Sequence, residues 1–195
     1  MVSKKSGLVA TVLGILSIVF SATYISSCTK PLDEKPWTCN YVVCTNGGLC
    51  DSGKCVCPVG YEGKDCSVKT VKKFYGFWRS HFKFTGSDSA NLVGKDSLFD
   101  MELKASATNT SFFIYSFFGN PNYSNVLCIV DSANTNYFRI DTTSAQTMYY
   151  DHFRIRGGWA VLYGTDSIAG SVWTRSINRS FNWQNDTFNF YLLKK

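Results

Sequence analysis

Six of the chain's eight cysteines fall between Cys39 and Cys66, spaced C-x4-C-x5-C-x4-C-x-C-x8-C. No other feature limits the accessible folds so tightly. A stretch of 28 residues cannot bury enough apolar surface to hold a fold by packing alone, so its thiols must supply cross-links, either to one another or through a metal. The choice depends on the compartment, because disulfides persist only where the surroundings are oxidising. Spacing alone leaves the pairing of six cysteines open.

Residues 1–27 read as an export signal. Lys4 and Lys5 make a positive start, Gly7 to Ile25 form an apolar stretch, and Ser26 and Ser27 are small, as cleavage requires. The competing reading is an uncleaved anchor helix, since about 20 apolar residues span a bilayer. Ile25-Ser26-Ser27-Cys28 resembles the lipobox of bacterial lipoproteins, an aliphatic residue and two small ones before a cysteine. The resemblance implies cleavage ahead of Cys28 and lipidation of its thiol. Several acyl chains, each methylene contributing ~0.8 kcal/mol on burial, would hold the protein durably to a membrane. Residues 28–38, with two prolines and four charged side chains, would be a solvated tether. An Asp directly after the cysteine resembles an inner-membrane retention signal; Thr29 stands there instead, which points to the outer membrane of a bacterial cell envelope.

In an exported chain the ladder reads as disulfides, and zinc is disfavoured further because the ladder contains no histidine. Asn46-Gly47-Gly48 before the third cysteine and Gly60-Tyr61-Glu62-Gly63 before the last are turn sequences, where glycine reaches backbone angles denied to other residues. With these turns, residues 39–66 resemble an epidermal growth factor (EGF)-like module. The resemblance implies the pairs Cys39–Cys50, Cys44–Cys55 and Cys57–Cys66, and a small two-stranded hairpin. Calcium-binding modules of that kind carry acidic residues immediately before the first cysteine. Lys35-Pro36-Trp37-Thr38 occupy that place, so no metal site is expected. The module reads equally as a rigid spacer or as a partner-binding unit.

Beyond the module the composition changes, and 26 of the 31 aromatic residues follow Val71. Residues 71–195 can therefore build a core without cysteines. Phe74, Gly76, Trp78, Ser80, Phe82 and Phe84 share one parity, with Arg79, His81 and Lys83 on the other, the period of a half-buried strand. Phe99, Met101, Leu103 and Ala105 alternate in the same way, as do Phe188, Phe190 and Leu192. Further strands are expected at 111–118, 125–130, 136–140, 147–156, 159–163 and 171–175, with Arg156-Gly157-Gly158-Trp159 as a hairpin turn. The fold class is mainly β: a small disulfide-rich module followed by an antiparallel barrel or sandwich. Gly76-Phe77-Trp78 on the first strand resembles the G-x-W motif of lipocalins, which implies a barrel whose floor is closed by Trp78. Arg175 is then the candidate for the arginine that packs on this tryptophan. The overall plan is similar to that of bacterial envelope lipoproteins in which an EGF-like module precedes a lipocalin-like barrel. Cys128, inside Val126-Leu127-Cys128-Ile129-Val130, reads as a buried free thiol behaving as a small apolar residue.

Signals of catalysis are missing. His81 and His152 fall in separate strands, and Asp151 beside His152 would point to the opposite face. No G-x-S-x-G, HExxH or phosphate-cradling loop occurs, and the carboxylates of the barrel read as outward or in turns. The net charge is +6 with no long basic run, so nucleic acid is not an expected partner. No cofactor is expected either. These features point to a non-enzymatic, lipid-anchored envelope protein whose barrel binds a small apolar ligand or a partner surface. The alternative is a carbohydrate-binding or adhesion module that stacks sugars on Trp173, Trp183 or Tyr150.

Overall fold

The computed structural model describes residues 39–142, 147–148, 153–177 and 180–195. The targeting segment, Cys28 and the tether lie outside the described residues.

The cysteine ladder forms a small disulfide-rich module of two antiparallel hairpins rather than one. β1 (Leu49–Asp51) pairs with β2 (Lys54–Val56), and β3 (Tyr61–Glu62) pairs with β4 (Val68–Lys69). Its disulfides join Cys39 to Cys50, Cys44 to Cys55 and Cys57 to Cys66, the same pairs that the resemblance implies. Cys66 is fully buried, whereas Tyr41, Val43, Leu49 and Val59 stand in solvent. Cross-links, not an apolar core, hold this part together.

The rest of the chain is a closed antiparallel barrel, so the sandwich alternative falls. Its strands are β5 (Gly76–Ser87), β6 (Asp96–Ala105), β7 (Ser111–Tyr115), β8 (Val126–Val130), β9 (Tyr137–Ile140), β11 (Phe153–Tyr163), β12 (Ser167–Ile177) and β13 (Trp183–Lys194). Each pairs with its neighbour in sequence. The sheet closes where β13 meets β5 and β9 meets β11; the two-residue β10 (Thr147–Met148) also borders β11. Eight strands leave an interior just wide enough for side chains to fill. Closure also removes the sheet's open edges.

Alternation along each strand sorts the core from the surface. On β5, Trp78, Ser80 and Phe82 point inward and are buried, while Phe77, Arg79 and Lys83 face solvent. On β6 the inward set includes Met101 and Leu103, and on β13 it includes Phe188, Phe190 and Leu192. Each large apolar side chain removed from water in this way stabilises the fold by roughly 1.5–3 kcal/mol.

The Gly157–Gly158 pair does not turn the chain. It lies inside β11, at a register shift that leaves Arg156 as an extra residue. The Trp173 indole on β12 covers Gly157 so closely that a Cβ there would sit 2.4 Å from the ring. Glycine inside a strand marks a close approach or a bulge, and here it marks both.

The two ends of the barrel differ. At one end a 3₁₀ turn, Thr70–Phe74, connects the module to β5 and buries Val71 and Phe74 completely. Phe74 stacks on Phe112 at 4.9 Å and meets Phe138 edge-on at 5.3 Å, plugging this floor. The module rests against the same end: Asn109 Nδ2 donates to the Tyr61 hydroxyl at 2.8 Å, and Lys73 Nζ reaches Glu62 and Thr135 at 3.0 Å. The opposite end is the mouth.

Candidate functional site

At the mouth, β7 ends earlier than its apolar run. The expected strand through Phe118 stops at Tyr115, because Ser116 (φ 54°) and Phe118 (φ 54°, ψ 27°) adopt left-handed backbone conformations. The β7–β8 connection folds back over the opening and carries two aromatic rings inward. Phe117 is buried, and Phe118 packs against Phe82 at 4.8 Å and Phe188 at 4.9 Å. A bulky residue in left-handed geometry is unusual, and such conformations persist only where surrounding packing over-determines them.

Between this loop and the strand ends lies a cleft of about 260 Å³. Phe82, Phe84, Phe99, Phe118, Phe153 and Phe188 make its apolar walls. Ser97, Ser176 and Asp186 are the polar groups that line it. Below the cleft the barrel is filled, with Phe82 stacked on Phe190 at 5.1 Å and edge-on to Phe117 at 5.7 Å.

Asp186 corrects the expectation that the barrel's carboxylates face outward. It is inward on β13 and only 7% exposed. Its Oδ1 accepts hydrogen bonds from the Ser87 hydroxyl at 2.6 Å and from Gln184 Nε2 at 2.8 Å. Asp186, Gln184, Phe188, Phe190 and Leu192 share one parity along the strand, so the period-two signal that found the phenylalanines would have found this residue too. A second buried carboxylate, Asp141, is 3% exposed at the end of β9.

No protein-family model matches the chain, and no curated protein matches it. The site must be read from its own geometry.

Trp78 and Arg175, paired by the sequence reading, sit at opposite ends of the barrel. Trp78 pairs with Met101 and Lys194 at the floor; Arg175 pairs with Arg154 and Asn185 at the mouth. Trp78 is completely buried, and its Nε1 donates to the Phe74 carbonyl at 2.9 Å. The cation over its ring is Lys194, with Nζ 5.3 Å from the centroid. Arg175 instead lies on the outer face, its guanidinium 4.7 Å from the Trp183 ring. Lys194 was missed because it ends the chain's last strand, and only barrel closure brings that strand beside the first.

The surface tryptophans are engaged by the chain itself. Trp173 covers Gly157, and Trp183 carries Arg175 and, at 5.7 Å, Arg154. Each retains about two-fifths of its surface. Tyr150, Asp151 and His152 lie outside the described residues. His81 is on the outer wall, its Nε2 3.0 Å from Asp96 Oδ2. Cys128 is free and buried in β8; burial, followed by the nearby Asp141 charge, pushes its thiol well above the ordinary range. Among the described residues, no three His, Cys, Asp or Glu side chains converge in a group that could hold a metal ion.

Proposed function

We propose that this chain is a non-enzymatic, lipid-anchored protein of the bacterial cell envelope, in which an EGF-like module spaces a lipocalin-like barrel from the membrane. The barrel takes a small apolar molecule at its mouth. The observation that carries this reading is the cleft: about 260 Å³ of space walled by six phenylalanines, with Phe82 stacked on Phe190 beneath it. Ligand sites are concave, mostly apolar and equipped with a few polar groups, and this cleft has that composition. A cavity of roughly 150 Å³ lined by apolar side chains already holds benzene. The anchoring half of the proposal is supported by Ile25-Ser26-Ser27-Cys28 behind its apolar stretch.

Two measurements test it. Fluorescence of 1-aminonaphthalene, an uncharged probe that brightens in apolar surroundings, should rise on adding the folded chain and saturate. Ser97→Trp, which places an indole in the cleft, should abolish the rise while leaving the far-ultraviolet circular dichroism unchanged. Equal binding by the variant, or none by the wild type, rejects the cleft as the site. Mass spectrometry of protein purified from its native membrane should find Cys28 acylated as the first residue; an unmodified thiol there rejects the anchor.

A further inference from the structure

The cleft at the barrel mouth contains a buried carboxylate, Asp186. Asp186 is more than nine-tenths buried, yet among the described residues no lysine, arginine or histidine forms an ion pair with it. Buried charges are ordinarily paired. The surrounding hydrogen bonds all serve the carboxylate as an acceptor. The Ser89 hydroxyl donates to Gln184 Oε1 at 2.9 Å, and Gln184 Nε2 donates to Ser87 Oγ at 3.1 Å and to Asp186 Oδ1 at 2.8 Å. The Ser87 hydroxyl completes the relay, donating to the same Oδ1 at 2.6 Å. Every donor runs toward Asp186, and such networks polarise in the direction of the final acceptor. Both bonds end on Oδ1, so Oδ2 has no hydrogen-bond partner among the described residues.

Other features of the cleft suit a cation. Ser97 and Ser176 line the same space, and neither hydroxyl has a hydrogen-bond partner among the described residues. With Asp186 they present three oxygen-bearing groups, the number of donors on a primary ammonium. The remaining walls are phenylalanine, whose ring faces attract a cation.

We infer that the cleft binds a small protonated primary amine with a short aromatic body, its ammonium on Asp186 and its ring among the phenylalanines. This rests on the reading of the cleft as a ligand site, and names the class of ligand.

The test is titration calorimetry of the full, oxidised chain at neutral pH with three probes of one shape: 2-phenylethylamine, 2-phenylethanol and 3-phenylpropionate. The amine should bind at least about tenfold more tightly than the alcohol, as a charge-assisted hydrogen bond requires, and the acid should not bind. Asp186→Asn should bring the amine down to the level of the alcohol. Equal affinity for amine and alcohol in the wild type overturns the inference even if the variant fails to fold, and leaves the apolar cleft standing. Binding of all three probes that persists in Ser97→Trp overturns both readings.

Discussion

Phe118 is where backbone geometry and cleft packing meet, and substitution there separates the two. Its ring packs against Phe117, Phe82 and Phe188 with centroids at 4.6–4.9 Å, and its backbone is left-handed at φ 54°. Truncating a fully buried phenylalanine to alanine costs about 3–5 kcal/mol. Phe118 is only half-buried, so Phe118→Ala should cost about 2 kcal/mol. Alanine still meets the left-handed penalty of roughly 1–2 kcal/mol, which glycine escapes. Glycine also loses roughly 0.4–1 kcal/mol more through unfolded-chain entropy. The balance makes Phe118→Gly about 0.5–1 kcal/mol more stable than Phe118→Ala, the reverse of the order in ordinary strand or helix positions. Urea unfolding of the oxidised chain, followed by tryptophan fluorescence, measures both variants against the wild type. In thermal unfolding each kcal/mol should appear as roughly 3 °C. Should the glycine variant prove the less stable of the two, Phe118 is not left-handed, and the account of how the β7–β8 connection enters the mouth is wrong.

Three further outcomes follow from the same structure. Reducing the three disulfides should unfold the module, each closed loop contributing about 3 kcal/mol, while the barrel's aromatic circular dichroism survives because its core contains no cross-link; simultaneous loss of both signals would contradict this. Gly157→Ala should displace Trp173 and cost about 1–3 kcal/mol, and in a double-mutant cycle with Trp173→Ala the penalties should be strongly sub-additive, strict additivity counting against the contact. Lys195 and Arg79 hydrogen-bond to Asp100 at 2.7 and 2.6 Å and hold its carboxyl below the usual carboxylate range. That pairing is therefore complete at neutral pH and is lost as pH falls through the depressed value. In Lys195→Ala the side-chain NMR titration of Asp100 should move upward, and an unmoved midpoint would show that the lysine is not its partner.

How much was legible in the sequence depended on the range over which each signal acts. Alternation on β5, β6 and β13 is a property of consecutive residues, so Trp78, Met101 and Phe188 could be turned inward without knowledge of any neighbouring strand. Gly157-Gly158 was misread because, taken locally, two glycines describe a turn; their actual cause is an indole on the next strand. Arg175 was misassigned because the partner of a floor tryptophan is set by barrel register, which places Lys194 beside Trp78. Asp186 was passed over for a different reason: the alternation was applied to the apolar residues of β13 and not to the carboxylate that keeps step with them.

Taken alone, the sequence determined that cysteines hold one part and apolar alternation the other, since both follow from residue identity and spacing along a single segment. The tertiary structure decided that the sheet closes, that the β7–β8 connection caps one end, and that the buried carboxylate of Asp186 faces the space beneath it. Those outcomes require strands far apart in the chain to share a register, and no local pattern carries that information.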